Sequence, residues 1–115
     1  MASPAIKRIA LEYQSPDGKS PFGRWLSQLK DARAQAKITK AIKQMEAGNF
    51  GDHKAITDGK GLQERRIHYG PGYRLYYFID GDQLIVLFAG STKADQNAII
   101  KNAQQYLTDY LVRKA

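Results

Sequence analysis

Residues 62–93 restrict the possible folds most, because three β-segments follow one another there with turn residues between them. Residues 62–69 alternate in character, as a strand with two distinct faces does. A Gly-Pro-Gly turn leads to residues 73–79, which are rich in aromatic and β-branched side chains, and an Asp-Gly pair then predicts a hairpin with a two-residue loop. Residues 84–89 are an unbroken apolar run, typical of a strand covered on both faces. Together these patterns predict consecutive antiparallel strands.

The rest of the chain predicts one opening strand and three helices. Residues 6–13 have the composition of a strand. Ser20 followed by proline is a helix start, and Asp31 is the predicted N-cap of a second helix that runs to about Ala47, before a glycine stop. Asp95 is the predicted N-cap of a third helix. Apolar residues recur at helical spacing in all three segments, so each helix is expected to turn one side to the core.

The order strand–helix–helix–three strands–helix is typical of an α+β fold. It predicts a mostly antiparallel sheet with the helices packed on one face and the other face partly free. Residues 49–61 are interpreted as a turn-rich connector, and the chain is expected to fray beyond Tyr110. Neither a linker nor a repeat divides residues 1–115, so a single domain is predicted.

The composition limits the class of protein. The 115 residues carry a net charge of +7, which attracts polyanions such as nucleic acid or an acidic partner, although it also serves solubility. The sequence contains no cysteine and no long apolar run that would predict a membrane span or a secretory signal. These features favour a cytoplasmic protein without disulfides.

Cations and proton carriers are concentrated around the predicted Gly-Pro-Gly turn. Arg66, Arg74 and Lys93 can stabilise the negative charge that grows on a phosphoryl group in a transition state. His68 and Glu64 can transfer protons. Such groups suffice for RNA to be cut by its own 2′-OH. We predict no metal site and no cofactor, because the two histidines are far apart in sequence and no phosphate-binding loop motif is present.

Six further side chains are candidates for RNA binding because they are basic, aromatic or polar: Lys37, Lys40, Arg65, Tyr69, Tyr76 and Gln96. Ordinary structural roles are open for the same kinds of residue. The lysines suit a solvated helix face, Arg66 and Glu64 suit a surface ion pair, and Tyr76 suits a cover over the sheet. His68 also suits a hydrogen-bonded strand end, and Trp25 is assigned to the core.

Several segments resemble a known protein family. The chain is similar to the HigB-like "addiction module killer protein" group of the RelE/ParE toxin superfamily in the segments FGRWLSQLKDARAQAKI, MEAGNFGDHKAI, GLQERRIHYGPGYRLYY and QQYLTDY. The resemblance implies a RelE/ParE-like α+β fold and the toxin of a type II toxin–antitoxin pair. In this group the cognate antitoxin that holds the toxin inactive is usually a helix-turn-helix protein, and operator DNA is contacted only through that antitoxin.

The same resemblance implies an activity. RelE-type members act as endoribonucleases that cut mRNA on the ribosome without a metal, through attack of the 2′-OH, and so inhibit translation. Arg74 matches the catalytic arginine of these enzymes by position, and Lys93 matches the basic residue after the last strand. Arg66 and His68 lie on the strand face where RelE-type toxins have catalytic lysines.

The match to the family is incomplete. Arg65 stands where the group usually has leucine, and the turn AGSTKADQ replaces the usual GGDKSTQ while it keeps Lys93 and Gln96. Ile99 falls near the position of a C-terminal tyrosine that some RelE-type enzymes use, so the identity of the proton carrier stays open. Two alternative functions also stay open: a ParE-type inhibitor of DNA gyrase that cleaves nothing, and a basic domain whose charge serves antitoxin binding alone.

Overall fold

The structure is a computed structural model that describes residues 7–115. It consists of one five-stranded sheet and three α-helices. In chain order the elements are β1 (Ile9–Glu12), α1 (Pro21–Gln28), α2 (Ala32–Glu46), β2 (His53–Ala55), β3 (Gln63–Ile67), β4 (Tyr73–Asp80), β5 (Leu84–Thr92) and α3 (Gln96–Lys114). The predicted opening strand is confirmed as β1, although its predicted start at residue 6 lies outside the described residues. Within residues 7–115, no helix combines the length and the apolar character that crossing a membrane requires.

The strands follow the order β1-β5-β4-β3-β2 across the sheet. The pairs β2–β3, β3–β4 and β4–β5 are antiparallel, whereas β1 lies parallel to β5, so the sheet is mixed. The α+β class is confirmed. β1 and β2 occupy opposite edges because α1 and α2 carry the chain across the sheet between them.

The two helix starts predicted in the first half of the chain are confirmed. The Ser20 hydroxyl accepts a hydrogen bond from the backbone N–H of Gly23 at 2.9 Å, and the Asp31 carboxylate accepts one from the N–H of Arg33 at 2.9 Å. These bonds satisfy donors that a helix start leaves without a partner inside the helix. α2 ends before Gly48, whose φ of 95° is a left-handed conformation that glycine adopts without steric strain.

α1 and α2 cover one face of the sheet. Phe22 of α1 and Ile38 and Met45 of α2 belong to one buried cluster with Leu75 and Tyr77 of β4. The apolar stripe predicted for α2 from its helical spacing is its buried side. This layer therefore follows directly from the sequence pattern.

α3 covers the opposite face of the sheet, so the prediction that all helices pack on one face is wrong. Ala103 and Leu107 of α3 pack against Tyr76, Val86 and Phe88. The physical reason lies in β4 and β5, which carry apolar side chains on both faces. Each apolar face needs its own covering layer, and α3 supplies the second one.

The end of α3 is held to the sheet. The Tyr110 hydroxyl donates to the Asp80 carboxylate at 2.5 Å, and the Lys114 ammonium donates to the same carboxylate at 2.7 Å. Burial, together with the bond to Asp80, raises the pKa of Tyr110 to about 12. Arg113 pairs with Asp109 one turn earlier. The predicted fraying beyond Tyr110 is wrong, because these contacts continue the helix to Lys114.

Two connections differ from the sequence-based interpretation. The segment interpreted as a connector contains the short strand β2, and the hairpin between β4 and β5 has a three-residue loop, residues 81–83, instead of two residues. β2 has only three exposed residues of low strand propensity, so its own sequence does not predict it. The strand exists because its backbone pairs with β3.

Trp25 packs against the core, as predicted, and it restricts position 90. Its ring lies over Gly90 of β5, where any side-chain carbon would collide with the indole. We expect Gly90→Ala to lower the free energy of unfolding by about 1–3 kcal/mol, the usual range for an overpacked core. Urea unfolding would measure the loss. In a Trp25→Ala background the same substitution should lower the free energy of unfolding much less. Equal losses in both backgrounds would contradict the close packing of Trp25 on Gly90.

Candidate functional site

Three predicted site residues lie together on one face of the sheet. Arg66 of β3 is directly opposite Arg74 of β4, and Arg74 is in turn opposite Ser91 of β5. Glu64 precedes Arg66 by two residues on the same face and is the diagonal neighbour of Arg74. We call Glu64, Arg66 and Arg74 the arginine cluster. The alternation of residues 62–69 predicts this shared face correctly.

A buried carboxylate holds the arginine cluster together. Glu64 is 1% exposed, and its Oε1 accepts a hydrogen bond from Arg74 Nη1 at 2.6 Å. Its Oε2 lies 3.5 Å from Arg66 Nε. Two arginines directly opposite each other repel, and a carboxylate between them offsets the repulsion. Glu64 therefore positions the arginines, and its burial argues against the predicted role in proton transfer to a substrate.

Asp52 joins this site, although no local pattern in the sequence marks it. It lies just before β2, and its carbonyl accepts a hydrogen bond from the backbone N–H of Arg66 at 2.8 Å. Its carboxylate lies 2.6 Å from His68 Nε2 and 3.9 Å from Arg66 Nη1. The hydrogen bond with His68, assisted by the charge of Arg66, lowers the pKa of Asp52. Only the pairing of β2 with β3 reveals the role of Asp52.

His68 and Lys93 are the most accessible of the predicted catalytic residues. The side chain of His68 is 75% exposed. Lys93 is exposed directly after β5, and its backbone N–H donates to the Gly72 carbonyl at 2.9 Å. This bond fixes Lys93 beside the turn that leads into β4, where Arg74 follows. Lys93 therefore lies close to the start of β4.

Tyr76 shares the face of Arg74 but cannot contact RNA. Its side chain is fully buried in the cluster beneath α3, and its hydroxyl forms a hydrogen bond with the Ser91 hydroxyl at 2.9 Å. Burial raises the pKa of Tyr76. The prediction of RNA binding is wrong for this residue, because α3 covers the sheet at this point.

Arg65 lies on the other face, as strand alternation requires. It is 8% exposed, and its Nη2 donates to the side-chain oxygen of Gln44 on α2 at 3.0 Å. Its Nη1 donates to the carbonyl of Asn49 at 3.4 Å. Burial lowers the pKa of Arg65. The prediction of RNA binding is wrong here too, because Arg65 is buried where it connects β3 to α2.

Three of the four remaining RNA-binding candidates lie on the α2 side of the sheet, away from the arginine cluster. Tyr69 packs on the α2 side of the sheet, and the ammonium of Lys37 lies 5.1 Å from the centre of its ring. The Tyr69 hydroxyl donates to the N-cap carboxylate of α2 at 3.1 Å. Lys40 is exposed on α2, and Gln96 begins α3 with intermediate exposure. Tyr69, Lys37 and Lys40 therefore belong to a second surface.

The arginine cluster with Asp52, His68 and Lys93 can hold an anion and accept a proton. Arginine offers several N–H donors in a planar arrangement that matches phosphate oxygens. The exposed imidazole of His68 lies beside these donors. Among residues 7–115, no group of three or more potential ligands could hold a metal ion. A cavity of about 340 Å³ between α1 and α3 is lined by none of these side chains.

Glu64→Gln tests the buried carboxylate. The substitution removes the carboxylate that Arg74 and Arg66 share, and breaking a buried ion pair typically lowers stability by about 3–5 kcal/mol. We expect a loss of about this size in urea unfolding. Asp52→Asn is the matched control, because Asp52 contacts Arg66 from an exposed position and should change stability far less. Equal losses in the two variants would show that burial of Glu64 is not decisive.

His68→Ala tests the bond to Asp52, because alanine has no side-chain donor that could replace the imidazole. Because that bond is the main cause of the lowered pKa of Asp52, its removal should raise the pKa of Asp52 toward the ordinary value of about 3.9. A carboxyl ¹³C NMR titration would follow the change. His53→Ala is the control, since the His53 ring bonds with the Gly51 carbonyl instead. The same Asp52 titration in both variants and the parent would contradict the contact.

Comparison with known proteins relates the chain to a bacterial protein. No protein-family model matches the chain. The chain is similar to an uncharacterized protein of Haemophilus influenzae, with 45% identity over 83 residues. The aligned region covers 72% of this chain and 82% of the Haemophilus protein. The relationship therefore extends over most of both sequences.

Proposed function

This chain belongs to the same family as the Haemophilus influenzae protein, and we propose that it is the toxin of a type II toxin–antitoxin pair. In this proposal it is a metal-independent endoribonuclease with a RelE/ParE-like fold, which cuts mRNA on the ribosome in the cytoplasm and inhibits translation. Its partners are the ribosome, mRNA and a cognate helix-turn-helix antitoxin. The assignment to the superfamily rests on the resemblance of residues 61–77 above all.

The observation that carries this proposal is the fixed geometry of the arginine cluster. Arg66 and Arg74 remain partly accessible, with 29% and 13% of their side chains exposed. The buried carboxylate of Glu64 contacts both arginines and fixes their positions. Charges held in place stabilise a transition state better than mobile ones, because they need not reorganise as the negative charge grows. Both arginines stand on paired strands, which position a site more accurately than loops do.

Each side chain then has a distinct role. Arg74 and Arg66 bind the oxygens of the scissile phosphate, and Lys93 neutralises further charge from the end of β5. His68 accepts the proton of the attacking 2′-OH, because it is exposed beside Arg66. The nucleophile belongs to the RNA itself. The protein therefore has only to orient the strand, stabilise charge and move a proton.

The overall charge supports a polyanionic target. A net charge of +7 on a small chain attracts nucleic acid before any specific contact forms. This attraction does not distinguish mRNA on a ribosome from another acidic target. The experiment must therefore look for cut RNA as well as for growth arrest.

Arg74→Lys is the sharpest test of the proposed chemistry. Expression of the parent chain alone should arrest growth and leave transcripts cut within ribosome-bound RNA. The variant keeps the positive charge but loses the planar set of donors, so we expect cleavage to fall by about 100-fold or more. Arg24→Lys on the exposed side of α1 is the matched control and should stay toxic. Cooperative urea unfolding like that of the parent chain would show that both variants are folded.

Intact transcripts during growth arrest would contradict the nuclease. A supercoiling assay with purified DNA gyrase would then test the ParE-type alternative directly. Inhibition of supercoiling by the parent chain, unchanged in Arg74→Lys, would replace the proposal with a non-cleaving inhibitor. Loss of antitoxin binding in Arg74→Lys, without any activity of the parent chain, would instead support a domain that only binds its partner.

A further inference from the structure

Asp52 has a defined place opposite the arginine cluster. The hydrogen bond from the backbone N–H of Arg66 to the Asp52 carbonyl continues the β2–β3 ladder by one residue pair beyond His53 and Arg65. Residues that face each other in a ladder share a sheet face, so the carboxylate of Asp52 stands beside Arg66. His68 is the diagonal neighbour on the same face, which is within reach of a carboxylate. The backbone pairing thus brings Asp52 to both cations.

The chemistry of the contact fixes the proton on the imidazole ring. Asp52 Oδ2 lies 2.6 Å from His68 Nε2. The pKa of Asp52 is lowered, chiefly by this bond, so the carboxylate is ionised at neutral pH and can only accept a hydrogen bond. The hydrogen must therefore sit on Nε2. In a neutral imidazole the other nitrogen, Nδ1, then carries a free lone pair.

We propose that Asp52 is a positioning residue that holds His68 with Nδ1 as the proton acceptor for the attacking 2′-OH. The inference rests on the proposed function and names the base that the sequence leaves open. Exposure separates the two candidates, because the side chain of His68 is 75% exposed whereas that of Glu64 is 1% exposed. Glu64 is already engaged with Arg74, so only His68 can meet a hydroxyl of the RNA.

The proton and the bonds balance in this step. The 2′-OH gives its proton to His68 Nδ1 while its oxygen forms a bond to the phosphorus. The bond from phosphorus to the 5′-oxygen breaks, and the leaving oxygen takes a proton from water. The product is a cyclic phosphate, and His68 returns its proton to solvent. Asp52 stabilises the imidazolium that exists between these events without taking a proton itself.

The charges around the pair support this division of roles. Arg66 lies 3.9 Å from Asp52 on β3, and Arg74 on β4 also acts on Asp52 through its charge. Both cations keep the Asp52 carboxylate ionised, which preserves its capacity to accept the hydrogen of Nε2. Asp52 itself comes from the segment before β2. The segment before β2 thus orients His68, while the arginines of β3 and β4 hold the phosphate.

Asp52→Asn tests the inference, because an amide can donate as well as accept and so no longer fixes the imidazole tautomer. We expect kcat for cleavage of ribosome-bound mRNA to fall about 10- to 100-fold with KM little changed. Ring ¹⁵N shifts of His68 should move from the form protonated at Nε2 toward a mixture of tautomers. Asp52→Glu should restore part of the activity. Asp82→Asn, in the exposed β4–β5 loop, is the matched control and should change neither measurement.

The outcomes separate this inference from the function on which it rests. An active Asp52→Asn variant with unchanged kcat, beside an inactive Arg74→Lys, would overturn the role of Asp52 and leave the nuclease in place. A loss of kcat with unaltered ¹⁵N shifts would also overturn it, because the effect would not pass through the imidazole. Absence of any cleavage by the parent chain would overturn both, whatever the ring nitrogens report.

Discussion

The buried ion pair between Glu64 and Arg74 is the interaction on which the candidate site depends. A carboxylate that is 1% exposed is unstable without a counter-charge, and Arg74 supplies one at 2.6 Å. The dependence is mutual, because Arg74 faces Arg66 directly and needs the carboxylate between them. The register of β3 and β4 sets these distances. A shift of this register by one residue would place Glu64 and Arg66 on the opposite face from Arg74 and so separate the three side chains.

The helices that cover both faces of the sheet determine which side chains of the candidate site remain exposed. Three successive positions on one face of β3 and the residues after it become steadily more exposed: the side chains of Glu64, Arg66 and His68 are 1%, 29% and 75% exposed. α3 buries the middle of this face, where Tyr76 becomes part of the core. The site therefore lies where the cover of α3 ends. It has an anchored carboxylate at one end and an accessible imidazole at the other.

Local sequence patterns predict features such as helix caps, which depend on neighbouring residues. They do not predict contacts and burial that depend on how the strands pair and which helix covers them. Ser20 and Asp31 cap their helices as predicted, because a cap needs only the next three residues. Asp52 enters the site through the pairing of β2 with β3, which no pattern in β2 itself indicates. Tyr76 and Arg65 suit RNA contact by residue type, yet both are buried, since exposure depends on which helix covers each face.

The positive net charge of the chain does not come from the arginines of the site, because carboxylates pair with them. Arg66 and Arg74 lie against the carboxylates of Asp52 and Glu64, so the four groups together contribute almost no excess charge. The positive field of the chain, whose net charge is +7, therefore comes mainly from the remaining lysines and arginines. The paired arginines contribute direction, because their carboxylates fix where the N–H groups point. The long-range positive field and the orientation of the N–H donors thus depend on different residues. A surface rich in lysine alone would supply the field without the fixed donors.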